Sequence, residues 1–526
     1  MSSHLSNGMP NRNYYPKQQY IYLFCQLRFG PLTLTLSPWG RGQGEGEFAI
    51  VRWKLFIAPG DNNPPEEGLL PLSIDGQNFS SLHFAGIMGS GMSAIAQYLA
   101  WSGQAVTGSD RIAFTDEMKD CKEKLERCGC RIFPQDGSGL TGATEALVIS
   151  TAIEDDNAEI AAAQKRGIPI LHRSDLLAAI VASHRTLAVC GTSGKSTVVA
   201  IIFEILRACG KSPSLLTGAN LIRLDQEGLL GNAFKGDSGI LVIEADESDG
   251  TLVKYRPEKA VFLNLSKDHH PVAVTLELFQ RLSSQTPFVL KNADDPELDP
   301  LNAAQTFGSS NRADCRPEAV KTVTPFIRLT LKGTDLEVPL AGRHNLSNAL
   351  AALCVCENLG CNLEEMVEPL REFRGVMRRF SISRTPMGVT VIDDYAHNPE
   401  KIKAALLTAR DFGARVFAVF QPHGFGPTRF LKDELVDTFS RLIRGGDEVF
   451  FLPIYYAGGT AQKDVSSEDL SDRVAQRGVR SHAPQNRTEL IAALKQRVKP
   501  GDVVILMGAR DPALSLLARE IKNGFD

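Results

Sequence analysis

A short glycine loop between an apolar strand and a helix constrains the fold of this chain more than any other feature. Residues 187–200 read LAVCGTSGKSTVVA. The residues before the loop form an apolar run of strand length, and those after it place apolar side chains at helical spacing. Val189 stands where the standard phosphate-binding loop has its first glycine, so the loop is shorter than usual. The order of strand, loop, lysine, hydroxyl and helix still predicts a phosphate site in a parallel α/β domain.

The loop residues are predicted to hold a polyphosphate. They are Gly191, Thr192, Ser193, Gly194, Lys195, Ser196 and Thr197. Backbone N–H groups cradle the phosphates, the ammonium of Lys195 neutralises them, and the hydroxyl of Ser196 reaches Mg²⁺. We expect loss of Lys195 to reduce activity before it reduces stability. The alternative is a glycine turn without a ligand.

Two further apolar runs also end in polar side chains. Residues 239–250, GILVIEADESDG, end their apolar run at Glu244, and residues 260–270, AVFLNLSKDHH, deliver Asn264, Asp268 and His269. The carboxyl ends of parallel strands meet at one edge of a sheet, so these groups are expected to share a cleft with the glycine loop. Carboxylates beside phosphates suit Mg²⁺. A solvated acidic loop and a structural histidine are the alternatives.

A second glycine-rich turn lies earlier in the chain, in residues 81–111, where a short apolar strand leads into Gly86, Gly89 and Gly91 and then into a helical pattern. Such a turn lets the backbone approach a diphosphate at a helix N-terminus. Asp110 follows Gly91 by nineteen residues, about where a Rossmann-like unit places a carboxylate near a nucleotide's sugar. A plain tight turn is the alternative.

Composition limits the class of protein. The chain has 526 residues, 43% of them apolar, which suggests roughly three domains of about 150 residues each. A net charge of -4 gives no field that would attract nucleic acid or an anionic membrane, so neither is expected as a partner. The ten cysteines lack the spacing of zinc sites and are expected to be reduced in the cytoplasm.

The first 78 residues differ from the rest of the chain. Residues 31–48, PLTLTLSPWGRGQGEGEF, show neither a helical period nor a long buried strand. We therefore predict that residues 1–78 are a disordered tail or an extension annotated in error.

Several motifs, in order, give the chain a specific resemblance. They are GTSGKST, EADESDG, the N-x-x-x-D-H pattern of residues 264–269, GRHNLSNALAAL at 342–353 and DDYAHNP at 393–399. In this order they resemble the Mur ligase family, and the similarity covers roughly residue 82 to the C-terminus. Within that family, GIMGSGMSAIAQ, STAIEDDNAEI and FQPH are most similar to the members that add L-alanine.

The resemblance implies an α/β chain of three domains. The first, residues 79–184, would be Rossmann-like and bind a UDP-sugar. The second, residues 185–376, would be a P-loop ATPase built on a parallel sheet. The third, residues 377–526, would be Rossmann-like and bring the amino acid.

The resemblance also implies an ATP- and Mg²⁺-dependent amide ligase of peptidoglycan precursor synthesis. The carboxylate of UDP-N-acetylmuramate would be activated as an acyl phosphate and joined to an amino acid, with L-alanine as the first expectation. The enzyme would be cytoplasmic, and a monomer or a weak homodimer.

Individual residues are carried over from the family motifs onto this chain. The catalytic set is Lys195, Glu244, His269, His423 and Arg429. The metal ligands are Ser196, Glu244 and His269. Besides the glycine loop, the nucleotide set comprises His344, Asn345, Asn348, Arg379, Asp394 and His397. The sugar-nucleotide set comprises Gly86, Gly89, Ser90, Gly91, Met92, Ser93 and Asp110.

The chain departs from the family pattern after His423. The family usually reads H-R-Y-x-R-T-R there, whereas this chain reads HGFGPTR, so Gly424 and Pro427 replace two cations and Arg429 remains. Arginine binds carboxylates bidentately, so either other groups hold the amino acid or the acceptor differs. The alternatives are a recycling ligase that attaches a ready-made peptide to the same sugar and a degenerate, non-catalytic nucleotide-binding homologue. His270 and Pro271 also depart from the pattern, which bears on the second metal site.

Overall fold

The computed structural model describes residues 72–74, 76–268, 270–456 and 462–524. They form five sheets with helices around them: three larger, mainly parallel sheets and two small antiparallel ones. This confirms the predicted α/β class with three domains. The expected tail up to residue 71 lies outside the described residues.

The N-terminal region is a five-stranded parallel sheet preceded by a hairpin. Its elements are β1 (Leu72–Ile74), β2 (Gln77–Phe79), β3 (Ser81–Ala85), α1 (Ser90–Trp101), β4 (Ala105–Ser109), α2 (Lys119–Arg127), β5 (Arg131–Phe133), β6 (Ala146–Ile149), α3 (Ala158–Arg166), β7 (Ile170–His172) and α4 (Arg173–Ala182). The strand order is β5-β4-β3-β6-β7, so β3 is central and its carboxyl end carries the first glycine-rich turn.

The hairpin corrects one expectation. β1 and β2 pair antiparallel around Gly76, which has a φ of +80°, within the segment that the sequence assigned to an extension. Ile74 and Phe79 are buried at 9% and 4% exposure in the core of this region. Ordered sequence therefore begins no later than Leu72, because these two side chains pack against the domain that follows.

The central region is a seven-stranded sheet with a small antiparallel sheet beside it. Its elements are β8 (Arg185–Cys190), α5 (Lys195–Ala208), β9 (Ser214–Leu216), α6 (Ile222–Gln226), β10 (Ala233–Phe234), β11 (Ile240–Glu244), β12 (Lys259–Phe262), α7 (Val272–Ser284), β13 (Phe288–Asn292), β14 (Gln305–Phe307), β15 (Ala319–Val323), β16 (Phe326–Leu331), β17 (Thr334–Val338), α8 (His344–Asn358) and α9 (Leu363–Arg371). The order is β10-β9-β11-β8-β12-β13-β14, and only β10 is antiparallel to its neighbour.

The central strand of this sheet places the glycine loop. β8 lies between β11 and β12 and is buried from Thr186 to Cys190, which explains its continuous apolar sequence. The chain continues to one side of β8 through β9 and β11, and then to the other side through β12 and β13. Such a reversal opens a crevice at the carboxyl ends of the strands. The loop after β8 therefore opens into that crevice.

The C-terminal region is a six-stranded sheet of order β18-β19-β23-β20-β21-β22, with β18 antiparallel. Its elements are β18 (Ser381–Arg384), β19 (Thr390–Asp394), α10 (Pro399–Ala409), β20 (Val416–Gln421), α11 (Phe425–Leu442), β21 (Glu448–Phe451), α12 (Ser467–Ala475), β22 (Ser481–His482), α13 (Arg487–Arg497), β23 (Val503–Gly508) and α14 (Leu514–Gly524). β19 and β20 end in the DDYAHNP and FQPH motifs.

One cysteine pair departs from the expectation of reduced thiols. Cys315 and Cys354 form a disulfide that ties the segment after β14 to α8. The other described cysteines are free. Cys354 lies on the buried face of α8, and both sulfurs belong to the core around the central sheet. No helix in the described part of the chain combines the length and apolarity needed to cross a membrane.

Candidate active site

The glycine loop has a backbone that requires glycine where it enters α5. Gly194 precedes the helix with a φ of +87°, and a Cβ at this position would lie 2.4 Å from Oδ1 of Asn348. A side chain at Gly194 would be both strained and blocked. Asn348, on α8, is thereby packed directly against the loop.

Asn264 holds the two residues before Gly194. Its Oδ1 accepts hydrogen bonds from the N–H of Ser193 at 2.9 Å and from Oγ1 of Thr192 at 3.0 Å. Its Nδ2 donates to the carbonyl of Ser193 at 2.9 Å. The end of β12 therefore fixes the loop that follows β8, as the shared sheet edge predicted.

Lys195 is buried at the start of α5, at 8% exposure. Its Nζ donates to the carbonyl of Gly191 at 2.7 Å and to Oε2 of Glu247 at 2.6 Å, and lies 3.2 Å from Oδ1 of Asp246. Burial alone would lower the pKa of Lys195, but Glu247, Asp246 and Glu244 raise it above its usual value. Burial raises the pKa of the Glu247 carboxyl, against the effect of Lys195. Lys195 therefore stays cationic over the physiological range.

Ser196 and Glu244 form the candidate metal site. Oγ of Ser196 donates to the Glu244 carboxylate at 3.0 and 3.1 Å, and Glu244 also accepts from Oγ1 of Thr217 at 2.8 Å and from the N–H of Gly218 at 3.0 Å. A hydroxyl and a carboxylate are hard oxygen donors, and Mg²⁺ in phosphate sites takes few protein ligands besides phosphates and waters. The donor set therefore fits Mg²⁺. His269, the other predicted ligand, lies outside the described residues.

A cavity of about 360 Å³ opens beside the glycine loop, between the central and C-terminal regions. Predicted nucleotide residues that line it are Ser193, Gly194, Thr197, His344, Asn345, Asn348, Arg379 and Asp394. Asn345 and Asn348 are tied together by a 2.9 Å hydrogen bond, and Nδ2 of Asn345 donates to the carbonyl of Ala341. The size is within the range of small-molecule pockets.

Two adjacent arginines at the start of the C-terminal region, Arg378 and Arg379, make contacts with different parts of the protein. Arg379 reaches back to the central region, where its Nη2 donates to Oγ of Ser196 at 3.1 Å. Arg378 instead donates to the carbonyl of Gly508 at 2.7 Å and pairs with Asp393 at 3.3 Å, so it holds the C-terminal sheet together. Only Arg379 of this pair is placed to meet a phosphate.

Asp394 orders the chain around Arg379. It accepts hydrogen bonds from the N–H groups of Phe380 and Ala396, both at 2.7 Å. Burial raises the pKa of the Asp394 carboxyl, and Arg379 opposes that effect.

The DDYAHNP and FQPH motifs meet at the same interface. The rings of His397 and His423 lie 5.4 Å apart, centroid to centroid, in an edge-on arrangement. Nε2 of His397 is 3.9 Å from Oδ1 of Asp268, which belongs to the central region. Burial lowers the pKa of His397 well below its usual value, so its imidazole is neutral near pH 7. Neutral imidazole is able to accept a proton.

The structure does not bring Arg429 into this cleft. Arg429 is on α11, where its Nε donates to Oδ1 of Asp464 at 2.8 Å and its Nη2 donates to the carbonyl of Gln462. Both side chains of the ion pair are more than 40% exposed. Arg429, which the sequence analysis placed in the catalytic set, therefore has its guanidinium turned to the surface of the C-terminal region.

The first glycine-rich turn is closed by its own strand ends. The N–H groups of Gly86 and Ile87 donate to the carbonyl of Ser109, and the N–H of Met88 donates to Oδ2 of Asp110 at 3.0 Å. Asp110 thus lies at the turn, and burial raises the pKa of its carboxyl. Its contact with a sugar stays a prediction. Gly86 has a φ of +76°, which favours glycine.

Two of the predicted sugar-nucleotide residues on α1 have buried side chains. Met92 and Ser93 are buried at 3% and 1% exposure. Oγ of Ser93 donates to the carbonyls of Gly89 and Ser90. These side chains face the protein interior, so only their backbone is available to a ligand. Gly89 and Ser90 are exposed at the start of α1, as the prediction required.

Three charged residues near the clefts were not among the predicted site residues. The Arg173 side chain lies against the first glycine-rich turn: a Cβ added at Gly91 would be 2.7 Å from Nη1 of Arg173. Arg173 also pairs with Asp249 at 2.8 Å. Glu247 holds Lys195. Lys401, in the first turn of α10, lines the 360 Å³ cavity. The sequence offers a signal for two of these residues. Glu247 lies in the DES sequence, and Lys401 follows Pro399 of the DDYAHNP motif by two residues. Arg173 belongs to no motif.

Comparison with known proteins gives matches along most of the chain. Three family models match it: the Mur ligase family catalytic domain at residues 81–185, the Mur ligase middle domain at 189–356, and the Mur ligase glutamate ligase domain at 378–510.

Individual relatives are similar over the same span. The UDP-N-acetylmuramate–L-alanine ligase of Myxococcus xanthus is 34% identical over 451 residues, which is 82% of this chain and 93% of the relative. The enzyme of the same name from Gloeobacter violaceus is 35% identical over 440 residues, 81% of this chain and 92% of the relative.

Solved structures share the fold. The UDP-N-acetylmuramate–alanine ligase of Thermotoga maritima superposes with a TM-score of 0.70 at 28% identity, covering 84% of this chain and 98% of that protein. A murein peptide ligase from Psychrobacter arcticus matches with a TM-score of 0.63 at 21% identity, over 84% and 98%, and supports the fold alone.

Proposed function

Because this chain belongs to the Mur ligase family, we propose that it is an ATP-dependent ligase of peptidoglycan precursor synthesis. In this proposal it joins L-alanine to the carboxylate of UDP-N-acetylmuramate. The nucleotide occupies the glycine loop and the adjoining cavity, and the sugar nucleotide occupies the turn before α1.

The hydrogen bond from Arg379 to Ser196 is the observation that carries the proposal. At 3.1 Å it brings a C-terminal cation to the hydroxyl of the glycine loop, which is the predicted phosphate cradle of the central region. His397, from the same C-terminal region, approaches Asp268 of the central region. A site divided between two regions in this way suits a reaction that must first transfer a phosphoryl group and then admit a second substrate.

The reaction consists of two substitutions. A carboxylate oxygen of UDP-N-acetylmuramate attacks the γ-phosphorus of ATP, the bond from that phosphorus to the β,γ-bridging oxygen breaks, and ADP leaves. The amine nitrogen of L-alanine then attacks the acyl carbon of the acyl phosphate. The bond from that carbon to the phosphate oxygen breaks, inorganic phosphate leaves, and the amine loses a proton to give the amide.

Most of the catalysis is positioning and charge neutralisation, because the carboxylate and the γ-phosphate repel each other. Lys195 and Arg379 are the cations placed for the phosphates. Ser196 and Glu244 would hold Mg²⁺, which would supply further positive charge to the phosphate oxygens.

The proposal is tested by phosphate release from ATP by the full chain with UDP-N-acetylmuramate, Mg²⁺ and one acceptor at a time. We expect release to require L-alanine and to fall at least about 100-fold in Glu244→Gln, because that carboxylate is the predicted metal ligand. Glu258→Gln is the matched control, since Glu258 is partly exposed and pairs with Arg185 at the other end of β8. Release with a tripeptide alone would indicate a recycling ligase. Nucleotide binding without release would indicate a degenerate homologue.

A further inference from the structure

An ion pair joins the central and C-terminal regions beside the candidate active site. Nζ of Lys401, on α10, lies 2.6 Å from Oδ2 of Asp268, which follows β12. The two side chains are 17% and 7% exposed. The pair is therefore largely shielded from solvent. Opposite charges attract more strongly in such a shielded position than on an open surface.

The position of this pair is central to the cleft. Lys401 lines the 360 Å³ cavity together with Arg379. Asp268 is 3.9 Å from His397, whose ring contacts that of His423. The pair thus lies between the nucleotide cavity and the motif that departs from the family pattern.

Neighbouring cations are engaged elsewhere. Arg429 is bound to Asp464 at the surface. Lys267 also crosses the interface, but it pairs with Glu434 at 2.7 Å, and both side chains are more than 40% exposed. Lys401 is the cation that the structure places close to His397, with its charge directed into the interface.

We propose that Asp268 and Lys401 together form the receptor for the amino acid, which is a zwitterion. The α-carboxylate would bind the ammonium of Lys401, and the α-amine would lie at the carboxylate of Asp268. The amino acid would replace the direct contact between the two side chains, so each charge keeps a partner of opposite sign. This inference rests on the proposed function, because it assigns the amino-acid subsite of that reaction.

The Asp268–Lys401 pair would also select between possible acceptors. In a free amino acid the amine and the carboxylate are attached to one carbon, which matches two opposite charges in contact. In a peptide the first carboxyl is an amide, so Lys401 would be left buried beside a neutral group, at a cost. The pair therefore favours single amino acids over peptides at this subsite.

The first test is binding of radiolabelled L-alanine by equilibrium dialysis, with the full chain, UDP-N-acetylmuramate and a non-hydrolysable ATP analogue. We expect Lys401→Met to weaken L-alanine binding by about 10- to 100-fold, as loss of one charge-assisted hydrogen bond implies. The matched control is Lys403→Met on the same helix, because Lys403 is exposed and lies 3.6 Å from Glu400. Unchanged L-alanine affinity in Lys401→Met would overturn the inference, as would a wild-type chain that binds no L-alanine.

A second test separates a receptor from a clamp between the two regions. The double variant Asp268→Lys with Lys401→Asp restores an ion pair with its charges exchanged. If the pair only clamps the two regions together, the double variant should recover L-alanine binding, and that result would overturn the inference. If the pair is the receptor, the double variant should not recover binding, because the carboxylate and the amine of L-alanine would each meet a side chain of the same charge sign. Alaninamide gives a further readout: the wild type should prefer L-alanine over it, and Lys401→Met should lose that preference.

Phosphate release distinguishes the two proposals. A wild type that binds L-alanine through Lys401 but releases no phosphate would refute the proposed function and leave the receptor standing. A wild type that releases phosphate with L-alanine, while Lys401→Met keeps the same KM for L-alanine, would refute the receptor and leave the proposed function standing.

Discussion

Substitution of Lys195 tests how the structure combines activity with stability. Lys195→Met removes the cation that lies 2.6 Å from Oε2 of Glu247. Glu247 is 2% exposed, and its Oε1 has no hydrogen-bond partner. A carboxylate left in this position without its cation is expected to take up a proton, because an unpaired buried charge is costly.

The cost of that proton sets the size of the effect. An ordinary glutamate has a pKa of about 4.3, and each pKa unit is worth about 1.36 kcal/mol, so protonating Glu247 costs about 3.7 kcal/mol at pH 7 and about 1 kcal/mol at pH 5. The first value lies in the range of about 3–5 kcal/mol measured when one partner of a buried ion pair is removed. We therefore expect Lys195→Met to lose stability as well as activity, whereas the sequence alone predicts that activity is lost first.

The sign of the pH dependence follows from the same proton. In Lys195→Met the folded state keeps Glu247 protonated while the unfolded state releases the proton above about pH 4.3, so the variant loses stability as the pH rises. Urea unfolding followed by circular dichroism should show a small deficit at pH 5 and a large one at pH 7. Adding Glu247→Gln should recover most of the stability without restoring phosphate release. Equal unfolding midpoints for Lys195→Met and the wild type at both pH values would refute the reasoning.

Three other predictions follow from individual contacts. Arg379→Met should weaken ATP binding by about 10- to 150-fold, since a hydrogen bond to a charged group is worth about 1.5–3 kcal/mol. Arg378→Met should instead lower the urea midpoint and leave ATP affinity nearly unchanged. Calorimetric titration that found the two effects exchanged would contradict this prediction. The lowered pKa of His397 predicts that its ring stays neutral as the pH falls from 7.5 to about 6, and NMR detection of protonation near pH 6.5 would contradict this. Thiol titration of the denatured chain should find two more thiols after reduction, because Cys315 and Cys354 are paired; an equal count would contradict the pairing.

The parts of the site that lie at one sheet edge could be predicted from the sequence. Ser196, Glu244 and Asn264 meet because they follow β8, β11 and β12, which are neighbours in a parallel sheet. Gly194 could be predicted because the turn into α5 needs a left-handed backbone. The α/β class with three domains and the family resemblance were confirmed. The individual boundaries near residues 184 and 376 stay predictions.

The contacts between regions could not be predicted in this way. Arg379 and Ser196 are 183 residues apart, and Lys401 and Asp268 are 133 apart, so their meeting depends on how two folded regions pack. A sequence motif also does not show which way each side chain points: Met92 belongs to the glycine-rich motif, yet its side chain packs into the core.

The hairpin at residues 72–79 was missed for a related reason. Its two strands have three residues each, which is too short for an alternating pattern to be detected. Their burial depends on α4, which packs against β1 from about a hundred positions later in the chain.

The measurement that tests the central claim most directly is mass spectrometry of the UDP-sugar after incubation of the full chain with ATP, Mg²⁺, UDP-N-acetylmuramate and L-alanine. The proposal predicts a product heavier by one alanine residue, formed with one ADP and one phosphate for each molecule, and absent when L-alanine or ATP is left out. A sugar nucleotide of unchanged mass, from protein that binds ATP normally, would contradict the proposal.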